Sequence, residues 1–233
     1  DRIASANWHA SAALSARSEA EALFVDIGST TTDLVPIRAG APCPAGWTDA
    51  ERLTCGELVY TGLTRSFVMA LAERAPVAGT WMPLACEYFA SAADVYRVLG
   101  ELPADADQLA TADGRDKTVP ASRARLARMV GRDAAELSDA EWRGVARWFA
   151  EQQMRRIEDG AMLVLCRARL SESAPVVVAG IGRHLGRRLA VRLGRPCREF
   201  AAMIPRHGEN AEAWAGPCAP AVAVALLADA QLG

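Results

Sequence analysis

Residues 22–37, A-L-F-V-D-I-G-S-T-T-T-D-L-V-P-I, constrain the fold of this chain more than any other stretch. The polar centre of the segment holds Gly28 and four consecutive hydroxyl residues, which favour a turn. Short apolar and β-prone runs flank this centre, as in buried strands. They comprise Leu23, Phe24 and Val25 before the turn and Leu34 and Val35 after it. The segment therefore predicts two strands joined by a glycine-hydroxyl turn.

The same segment has the chemistry of a phosphate-binding site. Gly28 lets a ligand approach the backbone closely, and residues 29–32 offer hydroxyls beside exposed N–H groups. Asp26 and Asp33 would repel a bare polyphosphate, so the arrangement favours a hard cation such as Mg²⁺ that bridges carboxylate, water and phosphate. The alternative is an ordinary hairpin in which the two aspartates cap a polar turn.

Composition indicates a soluble, folded protein. Apolar residues make up 51% of the chain, the formal net charge is -2, and no apolar run is long enough to span a membrane. We therefore expect neither a nucleic-acid partner nor a membrane partner, while a homo-oligomer is compatible with the sequence. Residues 183–198 are rich in arginine. A solvated helix face explains such a run, and contact with an anionic substrate is the alternative.

The six cysteines are widely spaced, without the close pairs or accompanying histidines of a zinc site. We expect them to be reduced packing residues in a cytoplasmic protein, because no signal peptide opens the sequence. The opening residues D-R-I-A-S-A-N-W-H-A lack an initiator methionine and are typical of the middle of a longer protein.

A short strand-like run lies between Gly56 and Gly62, after a connection that spans residues 38–51. Glu57 stands at the entrance of this run. Its carboxylate is a candidate metal ligand or general base, and a solvent-facing glutamate on a strand is the alternative.

Helices are predicted over residues 66–73 and 87–102, and a long polar surface loop over residues 103–122. The sequence D-G-R-D at residues 113–116 predicts a turn that either reaches a ligand or is simply solvated. Ser138 and Glu141 have the spacing of a capping box and start the longest predicted helix, which continues towards Leu170.

The sequence V-V-V-A-G-I-G after Pro175 predicts a buried strand that delivers Gly180 and Gly182 to the start of a helix. Glycines at a helix N-terminus suit a phosphate or nucleotide, although the full dinucleotide fingerprint is absent. A last apolar helix is expected after Pro220.

Several unusual motifs occur together and in order along the chain: A-N-W-H-A-S-A, V-D-I-G-S-T-T-T-D-L, G-E-L-V-Y-T-G-L-T-R, T-A-D-G-R and V-V-A-G-I-G. As a set they resemble the hydantoinase/oxoprolinase-related proteins of tetrahydromethanopterin-linked one-carbon metabolism, within the superfamily of actin, sugar kinases and heat-shock-protein ATPases. The resemblance implies an α/β, actin-like (ribonuclease H-like) fold with mixed sheets flanked by helices. Residues 1–21 would be the tail end of a first lobe, and residues 22–233 a second lobe with a helical insertion at about 85–160.

The resemblance also implies a transferase of methanofuran biosynthesis. Archaeal members of the family join an aminomethylfuran-methyl diphosphate to the phenol oxygen of a glutamylated tyramine and release pyrophosphate. Members carry another D-x-G phosphate turn upstream of the A-N-W-H motif, and this chain does not contain it. We therefore expect the N-terminal lobe in the same chain or in a companion chain.

The motifs assign a role to each matching residue. Asp26 corresponds to the metal-associated aspartate, Asp33 orients the turn, and Glu57 is the candidate base for the phenol, so these three form the predicted catalytic set. Mg²⁺ is the expected cofactor, held by Asp26. The predicted ligand-binding set comprises Gly28, Ser29, Thr30, Thr31, Thr32, Gly180, Gly182, Asn7 and His9.

Two other functions use the same motifs. A small-molecule kinase or ATPase would bind ATP in this site and transfer or release phosphate. A non-catalytic binding or assembly protein would keep the fold without turnover.

Overall fold

The two apolar flanks of the glycine-hydroxyl turn form neighbouring strands at the centre of a sheet. The computed structural model describes residues 7–204 and 214–232 of the chain. Strand β1 (Glu21–Ile27) pairs antiparallel with β2 (Thr32–Arg38), in a register that places Asp26 opposite Asp33. The prediction of two strands joined by the glycine-hydroxyl turn is confirmed.

The remaining strands of the described residues follow in chain order: β3 (Ala41–Pro42), β4 (Leu58–Val59), β5 (Arg74–Val77), β6 (Thr80–Pro83), β7 (Val176–Ala179) and β8 (Cys197–Glu199). The α-helices are α1 (Asn7–Ala16), α2 (Asp49–Cys55), α3 (Val68–Leu71), α4 (Ala92–Leu99), α5 (Val119–Met129), α6 (Asp139–Ala168), α7 (Arg183–Arg192) and α8 (Ala219–Leu232). Two short 3₁₀ helices lie at Ala134–Glu136 and Phe200–Met203.

The chain divides into two units, one formed by Asp1–Tyr60 with Arg156–Gly233 and the other by Thr61–Arg155. The first unit contains a six-stranded mixed sheet in the order β3-β2-β1-β7-β8, with β4 also paired to β2. Strands β7 and β8 run parallel to β1, whereas β2 runs antiparallel to it. The prediction of a mixed α/β architecture is therefore confirmed.

Helices cover both faces of this sheet because β1 and β7 are apolar on both sides. On one face, Phe24 and Val177 belong to a buried cluster with residues of α1 and α8. On the other face, α7 lies so close to β7 that a Cβ at Gly186 would be 2.8 Å from the Val178 side chain. Successive strand residues point to opposite faces, so a strand that is apolar throughout needs this double cover.

The second unit contains the β5-β6 hairpin, α3, α4, α5 and the first part of α6. Its interior includes a polar network in which the Tyr96 hydroxyl donates to Gln153 Oε1 at 2.6 Å. Gln153 Nε2 in turn donates to Thr61 Oγ1 at 2.8 Å and to the Gly62 carbonyl at 2.7 Å. Buried amide and hydroxyl groups are satisfied here by one another, as buried polar groups must be.

The capping-box prediction for α6 is confirmed. Ser138 N donates to Glu141 Oε2 at 2.8 Å, and Glu141 N donates back to Ser138 Oγ at 3.4 Å. The helix that follows is 30 residues long. The predicted strand after Pro175, the helix after Gly182 and the last helix are also present, as β7, α7 and α8.

Three predicted boundaries were wrong. The long polar loop ends at Thr118, whose hydroxyl accepts a hydrogen bond from Ala121 N at 3.3 Å and caps α5. The helix predicted at 87–102 is confined to α4, because Ser91 caps its start and Gly100 ends it in the left-handed conformation. The helix predicted at 66–73 shrinks to the four residues of α3.

All six cysteines are free thiols. Within residues 7–204 and 214–232, no helix has the length and apolar character needed to cross a membrane.

Candidate functional site

A cleft of about 280 Å³ opens in the first unit at the carboxyl ends of β1 and β7. These parallel strands end together, and ligands of α/β proteins commonly bind at such an edge. The cleft is close to the lower limit of small-molecule sites, which measure about 300–1,000 Å³. The described residues that line it are Asn7, Trp8, Asp26, Gly28, Ser29, Asp33, Gly180, Ile181, Pro217 and Pro220.

Asp26 is the most unusual group in this cleft. Its side chain is 7% exposed, yet within the described part of the chain its carboxylate accepts no hydrogen bond and has no cationic partner. Burial, and secondarily the negative charge of Asp33, raises the pKa of Asp26 to about 7. A buried carboxylate without compensation is costly, so a cation or hydrogen-bond donor brought by a ligand would stabilise it.

Asp33 lies across the hairpin from Asp26 but has a partner of its own. Arg52 Nη1 is 2.8 Å from Asp33 Oδ1, and Arg52 Nη2 donates to the Glu57 carbonyl at 3.0 Å. Burial raises the pKa of Asp33, and the guanidinium opposes that shift. Arg52 is 2% exposed, and its guanidinium lies 3.8 Å from the centre of the Trp8 ring. This fixed position is compatible with the prediction that Asp33 orients the turn. The catalytic role of Asp33 stays a prediction.

The glycine-hydroxyl turn presents only part of its predicted phosphate cradle to the cleft. Gly28 N donates to the Thr31 carbonyl at 2.9 Å, which closes the turn. A Cβ at Gly28 would meet only that carbonyl, at 3.5 Å, which is ordinary contact. The packing of the protein therefore does not require glycine at this position. Ser29 lines the cleft, whereas Thr32 is fully buried in β2 and Thr30 is not among the lining residues.

The two glycines after β7 have different roles. Gly180 has φ +84° and lines the cleft, and a Cβ there would be 2.3 Å from Asp26 Oδ1. Gly182 does not line the cleft. A Cβ on it would be 2.5 Å from the Ile27 side chain, so it permits close contact between the start of α7 and β1. Only Gly180 therefore supports the prediction that this glycine pair lines a ligand cleft.

Asn7 and His9 lie at the start of α1, and only Asn7 lines the cleft. Asn7 Oδ1 accepts a hydrogen bond from Trp8 N at 2.9 Å. The His9 ring packs against Trp8 and Trp47 at centroid distances of 5.5 and 5.3 Å, and burial lowers the pKa of His9. His9 is therefore a neutral packing group next to the cleft.

The structure does not bring Glu57 to the cleft. Glu57 is 1% exposed, and its carboxylate accepts hydrogen bonds from Ala45 N at 2.7 Å and Gly46 N at 3.3 Å. Arg167 Nη2 lies 2.7 Å from the same carboxylate. All of these partners hold the carboxylate in place, so the geometry favours a structural anchor over the predicted base.

The candidate metal site rests on very few protein ligands. Within the described residues, no group of three or more histidine, cysteine, aspartate or glutamate side chains could hold a metal ion. Mg²⁺ commonly uses one or two carboxylates together with water and substrate phosphates, so a site built on Asp26 is compatible with this composition. The uncompensated carboxylate of Asp26 is the observation that fits such an ion.

The D-G-R-D turn is held in the second unit by an ion-pair network. Asp113 Oδ1 lies 3.0 Å from Arg125 Nη1, and Arg125 Nε donates to Asp94 Oδ1 at 2.7 Å. Arg125 and Asp94 are both buried. The network gives this turn a structural role, and its predicted reach to a ligand stays untested.

Three residues near the cleft were missed by the sequence reasoning. Trp8 lines the cleft and Arg52 compensates Asp33, but neither residue follows from local pattern alone. Arg183, at the start of α7, lies against Gly216, where a Cβ would be 3.5 Å from Arg183 Nε. Arg183 N donates to the Gly180 carbonyl at 3.3 Å, but the Arg183 guanidinium makes no hydrogen bond or ion pair with any described residue. The arginine-rich run from residue 183 was the only available signal for it.

Known proteins resemble this chain at the level of a family model and at the level of individual proteins. The model of the Hydantoinase/oxoprolinase family matches residues 1–227. A relative from Methanocaldococcus jannaschii is 30% identical over 184 residues, which cover 78% of this chain and 54% of the relative. It is named (4-{4-[2-(gamma-L-glutamylamino)ethyl]phenoxymethyl}furan-2-yl)methanamine synthase. A Methanococcus vannielii protein of the same name is 30% identical over 163 residues, 70% of this chain and 72% of that protein. The chain thus spans about half the length of the first relative.

Proposed function

The chain belongs to the hydantoinase/oxoprolinase family, and from that premise we propose that it acts as a transferase in methanofuran biosynthesis. The donor would be an aminomethylfuran-methyl diphosphate, and the acceptor the phenol oxygen of a tyramine or glutamyltyramine. The name of the two relatives describes a product with a phenoxymethyl link to a furan. In this reaction the phenol oxygen forms a bond to the furan-methyl carbon, the bond between that carbon and the diphosphate oxygen breaks, and pyrophosphate and the phenol proton are released.

The uncompensated carboxylate of Asp26 carries this proposal. A buried carboxylate that faces a small cleft is stabilised when a ligand arrives together with a cation. Gly28 leaves room for phosphate oxygens, and Ser29 supplies a hydroxyl and a backbone N–H at the same wall. A diphosphate with its bound Mg²⁺ meets these requirements.

Each residue of the cleft has a defined part in the proposed reaction. Asp26 would hold Mg²⁺, which supplies charge neutralisation for the departing pyrophosphate when bound. Ser29 donates hydrogen bonds to phosphate oxygens, and Gly28 and Gly180 keep the adjoining space open. Arg52 fixes Asp33 and balances its charge, so that Asp26 remains the carboxylate available to the ligand. Preorganised groups of this kind favour a leaving group as its negative charge develops.

We also propose the actin-like, ribonuclease H-like fold, with this chain forming the second lobe and part of the first. The strand order supports the proposal, because an antiparallel β1-β2-β3 meander is extended on the other side of β1 by the parallel strands β7 and β8. Fold alone does not fix the reaction. The assay must therefore separate diphosphate chemistry from ATP chemistry.

The test supplies the protein with Mg²⁺, the aminomethylfuran diphosphate and tyramine, and measures both pyrophosphate and the ether product by mass spectrometry. We expect equal amounts of the two products, and loss of at least about a hundredfold in rate for Asp26→Ala, the scale on which removal of one electrostatic catalytic group acts. Asp105→Ala, at an exposed aspartate, is the matched control and should retain the wild-type rate. In a parallel reaction that contains ATP, hydrolysis of ATP without ether formation in the main assay would replace this proposal with a kinase or ATPase.

A further inference from the structure

Trp47 is a large aromatic residue that the fold holds on the surface. Its side chain is 61% exposed, and it follows Gly46 in the connection between β3 and α2. Single exposed apolar residues are common and need no explanation. Trp47 differs from such residues because hydrogen bonds hold the backbone segment that carries its indole in one position.

Backbone hydrogen bonds on both sides of Trp47 fix its position. Trp47 N donates to Glu51 Oε2 at 2.9 Å, and Thr48 N donates to the same oxygen at 3.0 Å within the capping box of α2. The two preceding amides, of Ala45 and Gly46, both donate to Glu57. Four consecutive N–H groups are therefore committed to two carboxylates.

The anchor beneath this segment uses a buried charge. Glu57 is 1% exposed and pairs with the partly exposed Arg167 at 2.7 Å, and burying a carboxylate is costly unless it has partners of this kind. Gly46 packs so tightly on α2 that a Cβ would be 2.8 Å from Arg52 N. A buried, fully partnered carboxylate and a required glycine thus hold a short segment that presents the Trp47 indole at the surface.

The indole continues an aromatic wall that begins inside the cleft. Trp8 is 4% exposed and lines the cleft, and its ring centroid lies 6.0 Å from that of Trp47. The His9 ring, next to Trp8 in sequence, packs 5.3 Å from Trp47. Three rings therefore lead from the buried carboxylate site to the surface, and Trp47 is the most exposed of them.

We propose that Trp47 forms a subsite for a planar aromatic ring of the substrate, next to the diphosphate-binding cleft. The inference rests on the proposed function, because the furan of the donor and the phenol of the acceptor are the rings that would reach this place. Stacking on a rigid indole costs little conformational entropy and selects a flat ring over a saturated one. Trp47 would act in binding and specificity, with no part in proton transfer.

Direct binding tests the subsite without any turnover. Tyramine and furfurylamine serve as phenol and furan probes, and 2-cyclohexylethylamine serves as a saturated probe of similar size. Their dissociation constants are measured by ligand-observed NMR with Mg²⁺ and inorganic pyrophosphate present. In the wild-type protein we expect at least one aromatic probe to bind about threefold to tenfold more tightly than the saturated probe. The probe with the greater preference identifies the ring that the subsite takes.

Two substitutions at one position separate stacking from bulk. Trp47→Phe should keep most of the aromatic preference, whereas Trp47→Leu should reduce it to about one, since leucine keeps apolar volume without a π face. Trp81→Leu, at another exposed tryptophan, is the matched control and should bind all probes as the wild type does. Thermal unfolding checks that each variant is folded.

The outcomes of the binding test are distinct from those of the ether assay. An unchanged aromatic preference in Trp47→Leu, or the absence of any preference in the wild-type protein, would overturn the subsite. A preference that depends on Trp47, found together with no ether formation, would support the aromatic subsite and reject the transferase reaction. If ether does form, Trp47→Leu should raise KM for one substrate about threefold to tenfold while kcat stays near the wild-type value.

Discussion

Asp26→Asn should make the protein more stable at alkaline pH, although it removes the central group of the site. In the wild type, the pKa of Asp26 in the folded state is raised to about 7 from its usual 3.8. Between pH 3.8 and about pH 7, the folded protein therefore retains a proton on Asp26 that the unfolded chain has already released. The contribution of Asp26 to stability should therefore be greatest at low pH, fall as the pH rises from 3.8 towards 7, and level off above 7.

The size of the effect follows from the width of that window. A shift of roughly three pH units corresponds to about 4 kcal/mol in the free energy of unfolding, at about 1.4 kcal/mol per unit. Somewhat more than half of this, about 2.5 kcal/mol, should be lost between about pH 5 and pH 8. The asparagine side chain carries no charge across this range, so the Asp26→Asn variant should lack this part of the pH dependence.

Urea denaturation in the presence of EDTA, at four pH values from about 5 to 8, measures the difference between the two proteins. The gap in free energy of unfolding should widen by about 2.5 kcal/mol across the series in favour of Asp26→Asn. Asp105→Asn should follow the wild-type curve because residue 105 is exposed. Parallel curves for the wild type and Asp26→Asn would show that Asp26 is already compensated, and the reasoning about an open carboxylate would fail.

Other substitutions test the contacts around the cleft. Gly180→Ala should lower the free energy of unfolding in urea by about 1–3 kcal/mol, because its Cβ would lie 2.3 Å from a carboxylate oxygen at φ +84°; unchanged stability would contradict this. Arg52→Met should cost about 3 kcal/mol, since it leaves Asp33 without its cation, and the double variant with Asp33→Asn should recover part of that loss in a double-mutant cycle. Arg183→Ala should weaken pyrophosphate binding in calorimetry by about tenfold. Arg187→Ala, whose guanidinium is already paired with Glu199 in the wild type, should not.

The sheet could be predicted from sequence where local pattern and tertiary environment agree. A strand that is apolar on both faces, such as Val176–Ala179, must be covered on both sides, so its apolar run already defines its environment. Helix ends were predicted well only where a cap was recognised, as at Ser138. Thr118 also caps a helix, but the polar residues before it are typical of a loop, and the start of α5 was therefore included in the predicted loop of residues 103–122.

Only those residues of the candidate site that are close to one another in the sequence could be predicted to lie together. Asp26, Gly28 and Ser29 belong to one turn, so their type and spacing suffice to place them together. Arg52 reaches Asp33 across 19 positions, and Arg167 reaches Glu57 across 110. Nothing in the local pattern around these residues specifies such pairs, because they depend on how the sheet and helices pack.

Partners, rather than burial, distinguish the three carboxylates of the predicted catalytic set. Glu57 is more deeply buried than Asp26, but two backbone amides and Arg167 compensate it, so it stabilises the fold. Asp33 is balanced by Arg52. Asp26 alone among these three has no such partner in the described residues, and its pKa is raised accordingly. This contrast between two compensated carboxylates and one that lines a cleft without a partner is the reason that we propose Asp26 as the ligand-binding group.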